Sequence, residues 1–173
     1  MSHQEQPQAK SNGRRAIYFD PCAGAAGDMI NAALIDAGAD LAAIQAGIAS
    51  LEIDGLSVRV EHVQKGAVGA IHFVVESDPA ATPDHLDPDE IIAILDCAAV
   101  TAALRARAIA VVERIAAAEA HVHRVERHQV HFHELGGLDT VVDVLGALIA
   151  LDSLKIEACF AGPLPSNGGT WGM

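Results

Sequence analysis

The residues best suited to chemistry lie close together, between positions 130 and 143. This stretch contains two histidines and three carboxylates, namely His131, His133, Glu134, Asp139 and Asp143. If residues 130–134 are extended, successive side chains alternate between two faces, and the two histidines point the same way. The two aspartates are four residues apart, which places them on one face of the helix predicted from Leu138 onward. Imidazole and carboxylate groups that converge in this way predict a divalent metal site for Zn, Ni, Fe or Mn, and the ligand types do not choose among these metals.

A second candidate group lies near the N-terminus, where a predicted strand at 16–19 is followed by a glycine-containing loop and a helix. Backbone N–H groups in such a loop can face a phosphate, which makes Gly24 and Gly27 candidates for cofactor binding. The spacing is neither GxGxxG nor a Walker loop. Asp20 and Asp28 flank the loop with negative charge, so the loop would bind a phosphate only with a bridging metal, or it would bind the cation itself. Both aspartates are candidate catalytic residues. Asp28 also suits a first-turn helix acid, a role that needs no ligand.

The composition suits a globular protein whose small partners are cations. The 173-residue chain is 51% hydrophobic and 3% aromatic, which is enough to bury one aliphatic core. Its 23 acidic and 11 basic residues give a formal net charge of −12, so we expect no nucleic-acid partner. No apolar run is long enough to span a membrane, and the N-terminus lacks a secretory signal. Three scattered cysteines predict free thiols in the cytoplasm.

The remaining pattern predicts the elements that position these residues. Helices are expected at 28–37, 41–51, 89–97, 102–122 and 138–154, strands at 16–19 and 155–161, and an antiparallel hairpin at 56–63 with 68–76. The first strand is expected beside residues 156–160, which would bring the glycine-containing loop toward the start of the last helix. We therefore predict an α/β fold with a mixed sheet and packed helices in a single domain.

Two of the predicted helices have an apolar face for the core. In the helix at 102–122 this face comprises Leu104, Ala108, Val111, Ile115, Ala118 and Val122. In the helix at 138–154 it comprises Leu138, Val141, Val142, Leu145, Leu148 and Ile149. Along the latter helix, Asp139 and Asp143 are followed by Gly146 and Ala150, whose small size would let another group approach closely. His121 and His123 end the former helix, where the helix dipole favours an imidazolium.

Three sequence blocks resemble the LarC-type nickel insertion proteins. The blocks are YFDPCAGAAGDM at 18–29, VHFHELGGLDTVVDVLG at 130–146 and GPLPSNGGT at 162–170. Two shorter segments, EAHVH at 119–123 and QKG at 64–66, extend the resemblance over essentially residues 15–170. The chain departs from the family at 77–88, where members often have a longer histidine-rich run and this chain has only His85. It also has Arg124 where glycine is usual.

The resemblance implies that the chain helps to place nickel in pyridinium-3,5-bisthiocarboxylic acid mononucleotide. That reaction forms one carbon–nickel and two sulfur–nickel bonds, consumes CTP, and makes the nickel-pincer cofactor of lactate racemase and related enzymes. Such a protein is a nickel chelatase or cyclometallase of the lyase class. Family members have an N-terminal portion that handles nickel and a C-terminal portion that binds CTP with Mn or Mg, and this chain resembles only the first.

The resemblance also implies a domain organisation, partners and ligands. A nickel-handling domain is expected at 15–170, and a truncated end at 171–173 that reflects a frame change, an early stop or the boundary of the cloned segment. The polar, aperiodic composition of residues 1–14 separately predicts a disordered tail. The expected partners are the mononucleotide substrate and a C-terminal LarC-like portion, and a homo-oligomer is left open. His131, His133 and Glu134 would take Ni(II), with Asp139 and Asp143 as further ligands or as orienters of the imidazoles.

Two other functions fit the same residues. A metal-dependent phosphohydrolase would use Mg or Mn with the carboxylates around Asp20 and Asp28. A non-catalytic nickel-binding chaperone subunit would use the histidines and carboxylates of residues 131–143 without any chemical step. Metal binding and phosphate release distinguish these alternatives from nickel insertion.

Overall fold

The computed structural model describes residues 13–22, 24–78, 85–132 and 135–164. The elements within these ranges are β1 (Ala16–Phe19), α1 (Gly27–Asp36), α2 (Leu41–Ala49), β2 (Ser57–Lys65), β3 (Val68–Glu76), α3 (Pro88–Cys97), α4 (Ala102–His123), a 3₁₀ turn (Arg127–Gln129), α5 (Leu138–Ser153) and β4 (Ala158–Ala161). The predicted α/β single-domain fold is confirmed. The tail predicted at 1–14 falls mostly outside the described residues, and the end predicted at 171–173 falls wholly outside them.

The strands form one parallel and one antiparallel pair. Strand β1 pairs with β4 in parallel, with Ala16 beside Ala158 and Phe19 beside Ala161. The predicted neighbourhood of the first and last strands is therefore confirmed. Strands β2 and β3 form the predicted antiparallel hairpin. Within the described residues the two pairs are separate two-stranded sheets, so the mixed pairing does not occur in one continuous sheet.

Helix α5 lies at the centre of the molecule, with α1, α2 and α4 packed against it. Its predicted core face is confirmed, since every member is buried: Leu138, Val141, Val142, Leu145, Leu148 and Ile149. Aliphatic side chains of the neighbouring helices complete the core, including Leu34, Ile44 and Ile91. Burial of this aliphatic surface supplies the main driving force for folding. The cysteines Cys22, Cys97 and Cys159 are exposed and free, as predicted.

The core face predicted for α4 is partly wrong. The helix buries residues at strict four-residue spacing, namely Leu104, Ala108, Val112 and Ala116. Val111 is instead 37% exposed and Val122 is 72% exposed. The buried residues form one narrow row, so Val111 lies beside that row, and Val122 lies beyond Ala116, the last buried residue of α4. At 22 residues it is a long helix, yet neither it nor any other described helix is apolar enough over the required length to cross a membrane.

Residues 130–132 are the described part of the histidine-containing stretch. They follow the 3₁₀ turn, begin with an extended Val130 (φ −74°, ψ 125°) and have no sheet partner in the described structure. Val130 and Phe132 are buried whereas His131 is exposed, so the predicted alternation of faces holds over these three residues. His133 and Glu134 lie outside the described residues. That the two histidines share a face therefore stays a prediction.

Candidate functional site

The N-terminus of α1 packs directly against α5 at Asp143. Gly27, the first residue of α1, makes this contact possible, since a Cβ there would overlap the Asp143 carboxylate. Asp28 follows in the first turn, where its Oδ1 accepts a hydrogen bond from the Met29 N–H at 2.8 Å. The glycine-containing loop therefore meets α5, as the pairing of the first and last strands predicts.

Three carboxylates, Asp28, Asp139 and Asp143, form what we call the aspartate cluster. Burial, followed by the negative charges of Asp28 and then Asp139, raises the pKa of the Asp143 carboxyl from 3.8 to about 6. Asp28 and Asp139 are exposed, and Asp143 is half-buried. A cation bound here would offset the repulsion that now favours the protonated form of Asp143.

Asn31, which was not among the predicted site residues, links α1 to α5. Its side chain is fully buried, and its Nδ2 donates to the Gly27 carbonyl at 3.0 Å and to the Asp143 carbonyl at 3.2 Å. Its Oδ1 lies against α5, where a Cβ on Gly146 would come within 2.7 Å of it. Gly146 thus permits the close approach that its size predicted. The signal that could have identified Asn31 is a polar side chain in an otherwise apolar stretch of helix, three residues after Asp28.

Two oxygens at this contact are buried without a hydrogen-bond partner among the described residues: Asn31 Oδ1 and Asp143 Oδ1. An unpaired buried acceptor costs on the order of 1–3 kcal/mol, so native proteins keep few of them. The Asn31 side chain acts against burial and the neighbouring charges and lowers the Asp143 pKa. The Oδ1 acceptor that is still unpaired can be satisfied by a proton or by a cation. The chemistry of this position therefore fits a hard or borderline metal ion.

His131 makes a contact that the sequence analysis did not predict. Its Nδ1 is 2.8 Å from Asp87 Oδ1, at the start of α3. The imidazole also lines a cavity of about 160 Å³ together with His123 and Gln129. His123 Nε2 lies 3.2 Å from Glu119 Oε2. The structure therefore brings a histidine of α4 to the same cavity as His131.

The described members of the predicted metal site lie in two places. Asp139 and Asp143 lie with Asp28 in the aspartate cluster, and His131 lies beside Asp87, which was not a predicted ligand. Within the described ranges, no three His, Cys, Asp or Glu side chains converge closely enough to hold a metal ion. The two other predicted ligands, His133 and Glu134, lie outside those ranges, so the complete ligand set stays a prediction.

Asp20 and Gly24 line a different cavity, of about 260 Å³, between the end of β1 and α1. Asp28 is not among its lining residues, so the two candidate catalytic aspartates face different surroundings. Gly24 has φ +91°, a conformation that glycine adopts without strain, and its N–H donates to the Pro21 carbonyl at 2.9 Å. Gly24 is thereby given a structural role in the turn, and cofactor binding by the loop stays a prediction.

Comparison with known proteins adds independent information. A family model described as nickel insertion protein matches residues 17–173. The chain is 39% identical over 155 residues to a relative from Desulfotalea psychrophila and 40% identical over 158 residues to one from Thermomicrobium roseum. Both relatives carry the name nickel insertion protein. The alignments cover 90% of this chain but only 39% and 38% of these relatives, so the chain spans about two fifths of their length. No solved structure matches the chain.

Proposed function

This chain belongs to the nickel insertion protein family, and from that premise we propose that it delivers nickel to pyridinium-3,5-bisthiocarboxylic acid mononucleotide during synthesis of the nickel-pincer cofactor. The observation that carries the proposal is the Asp143 carboxylate. It lies half-buried where α1 meets α5, it is repelled by two further carboxylates, and its Oδ1 lacks a hydrogen-bond partner among the described residues. A bound cation would offset the repulsion between the carboxylates and would coordinate the unpaired oxygen.

In this proposal His131, His133 and Glu134 take the nickel, and Asp139 and Asp143 complete the site or orient the imidazoles. Imidazole nitrogen and carboxylate oxygen bind Ni(II), whereas the thiocarboxylate sulfurs of the substrate are softer donors. The metal can therefore pass from the protein to the substrate.

The glycine-containing loop is the proposed substrate side of the site. In this proposal Gly24 and Gly27 belong to the loop that receives the mononucleotide phosphate, although the Gly24 N–H donates to the Pro21 carbonyl and Gly27 packs against the Asp143 carboxylate. Asp28, in the aspartate cluster, then acts beside the metal, whose positive charge offsets the repulsion between carboxylate and phosphate. Asp20 lines the separate cavity between β1 and α1 and would meet the substrate there.

The use of CTP with Mn or Mg belongs, in this proposal, to a C-terminal portion. Because the chain spans about two fifths of its relatives, we assign it the nickel-handling half of a chelatase or cyclometallase of the lyase class that acts in the cytoplasm. The same coverage favours one alternative, a nickel-binding chaperone subunit without catalysis of its own. A metal-dependent phosphohydrolase has no such support.

Equilibrium binding of Ni(II), compared with Zn(II) and Mn(II), tests the nickel site. We expect the double variant His131→Ala/His133→Ala to lose more nickel affinity than the roughly 10–100-fold that follows loss of an outer-shell partner. The matched control is His62→Ala/His72→Ala, which removes two exposed histidines from the β2–β3 hairpin and should bind nickel like the wild type. Unchanged nickel affinity in the first variant would refute the assigned ligands.

A second experiment separates insertion from the alternatives. The chain is incubated with nickel and the mononucleotide. A second reaction also contains CTP, Mn or Mg, and the C-terminal portion of a relative. The nickel-containing product of each reaction is measured by mass spectrometry. Product that requires both portions supports the proposed split of functions. Nickel binding without product in any combination indicates the chaperone, and phosphate release from simple esters indicates the phosphohydrolase.

A further inference from the structure

The contact between His131 and Asp87 determines which imidazole nitrogen can bind a metal. A neutral imidazole has one N–H, on either Nδ1 or Nε2. Asp87 Oδ1 lies 2.8 Å from Nδ1, and an ionised carboxylate can only accept a hydrogen bond. The proton of the neutral ring therefore belongs on Nδ1, and the lone pair of Nε2 is left for a metal ion.

Asp87 is held firmly in place by its own surroundings. It is the N-cap of α3 and forms a capping box with Glu90, whose Oε2 accepts from the Asp87 N–H at 2.8 Å. The next residue, Pro88, is buried at the first helical position. On the other side, the Leu86 N–H donates to the Gly136 carbonyl at 2.7 Å, which ties this segment to the loop before α5.

The backbone of His131 is held in place by the same packing. Its neighbours Val130 and Phe132 are buried, at 6% and 3% exposure. Gly136 packs against the backbone of Phe132 and Leu86, since a Cβ on Gly136 would lie 2.8 Å from the Phe132 carbonyl oxygen. The backbones that carry the imidazole and the carboxylate are therefore anchored to each other through one small region.

We infer that Asp87 is a positioning residue for His131, and that it holds the imidazole in the Nδ1–H tautomer with Nε2 presented to the metal. This inference rests on the proposed function, because it takes His131 as a nickel ligand. Both side chains are largely exposed, at 71% and 49%, and exposed ion pairs contribute little to stability. Orientation of the ligand is therefore the main effect of the pair.

The competing explanation is that Asp87 serves only as a helix cap. Asp87→Asn separates the two roles, because asparagine caps a helix about as well as aspartate but carries no charge and has an amide that can donate as well as accept. The matched control is Glu90→Ala, which removes the other half of the capping box and leaves the Asp87 carboxylate beside His131.

The tautomer is measured first, on the metal-free full chain, by nitrogen-15 NMR of the His131 ring at a pH where the imidazole is neutral. We expect Nδ1–H in the wild type and in Glu90→Ala, and a mixture of tautomers in Asp87→Asn. A wild-type ring protonated on Nε2 overturns the inference. The wild-type result decides even if the variant fails to fold.

Nickel affinity is measured next on the same three proteins. We expect Asp87→Asn to bind Ni(II) roughly 10–100-fold more weakly than the wild type, as is usual when the partner of a ligating histidine is lost, and Glu90→Ala to bind like the wild type. Equal affinity in Asp87→Asn and the wild type refutes the positioning role while leaving the nickel site intact. A wild type that binds no nickel refutes the proposed function, and the tautomer measurement still decides whether Asp87 orients His131.

Discussion

Asp143 is the residue at which folding and the proposed chemistry oppose each other. Its carboxyl is half-buried, its neighbours Asp28 and Asp139 carry the same charge, and burial followed by these charges raises its pKa to about 6. In an apolar core this position would be filled by a neutral side chain of similar size. Strongly perturbed carboxyls are instead typical of functional sites, where stability is given up for binding or catalysis.

The raised pKa predicts a specific pH dependence of stability. The unfolded Asp143 has a pKa near 3.8 and the folded one near 6, so the folded state binds more protons between these values and stability falls as pH rises through this window. Above about pH 6 the full penalty is present. Because solvent screens a half-buried group, we expect this penalty to be about 1–2 kcal/mol. Asp143→Asn should therefore be more stable than the wild type at neutral pH, and the difference should disappear near pH 4.

Urea denaturation of the wild type and Asp143→Asn across this pH range measures the effect. The matched control is Asp54→Asn, which removes one negative charge from an exposed turn outside the aspartate cluster. Other acid groups also contribute to the pH dependence, such as Glu61 and Glu76, whose pKa values are lowered by Arg59. Subtracting the stability curve of the wild type from that of Asp143→Asn cancels these contributions and leaves that of Asp143. A difference that grows toward low pH would contradict the assigned direction of the shift.

At the scale of elements, the site depends on how closely α1 approaches α5. Gly27 and Gly146 leave room for Asp143 and Asn31 respectively, and the Asn31 amide is held by hydrogen bonds to Gly27 and Asp143. Larger side chains at these two positions would hold α1 and α5 farther apart. The aspartate cluster would then be more open to water, and the Asp143 pKa would move back toward its ordinary value.

Gly146→Ala tests this close packing. Alanine favours an isolated helix by about 1 kcal/mol over glycine, but its Cβ would lie 2.7 Å from Asn31 Oδ1. We expect a net loss of about 1–3 kcal/mol in the free energy of unfolding, because the hydrogen-bonded amide cannot move away freely. The matched control is Gly47→Ala in α2, where the new Cβ meets only the end of the flexible Ile149 side chain at close range. If Gly146→Ala is as stable as Gly47→Ala, the packing of Asn31 against Gly146 has room for an added methyl group.

What the sequence could predict follows from the range of the interactions involved. The core face of α5 was predictable because its burial repeats with the helical period, and β1 was correctly placed beside β4. Asn31 contacts a carbonyl 112 residues away, and Asp87 contacts a ring 44 residues away, so no local pattern predicts either contact, although the polar side chain of Asn31 in an apolar stretch marks the residue itself. Arg124 is an intermediate case. It ends α4 with φ 57°, a left-handed conformation that explains why glycine suits this position in the resembled family.

At the scale of the whole molecule, an excess of negative charge remains after the local ion pairs are counted. Arg59 pairs with Glu61 and Glu76 on the hairpin, and Arg127 pairs with Glu113 and Asp89 between α4, α3 and the 3₁₀ turn. These pairs lie at the surface, where solvent screens them, and they contribute little to stability. The formal net charge of −12 acts over the whole surface and attracts cations to it, while it opposes folding by self-repulsion.

These two contributions respond to salt in opposite directions, which makes their balance measurable. Raising NaCl from roughly 0.01 M to 1 M shortens the Debye length from ~30 Å to ~3 Å and weakens both exposed ion pairs and long-range repulsion. Because acidic residues exceed basic ones by 12, we expect repulsion to dominate and the free energy of unfolding to rise by on the order of 1 kcal/mol. The same measurement on Asp143→Asn distinguishes a local from a distributed origin. We expect most of the salt-induced gain in stability to persist in Asp143→Asn. If the gain disappears in that variant, the repulsion is located in the aspartate cluster. If the stability of the wild type falls with salt, the ion pairs of Arg59 and Arg127 outweigh the net charge.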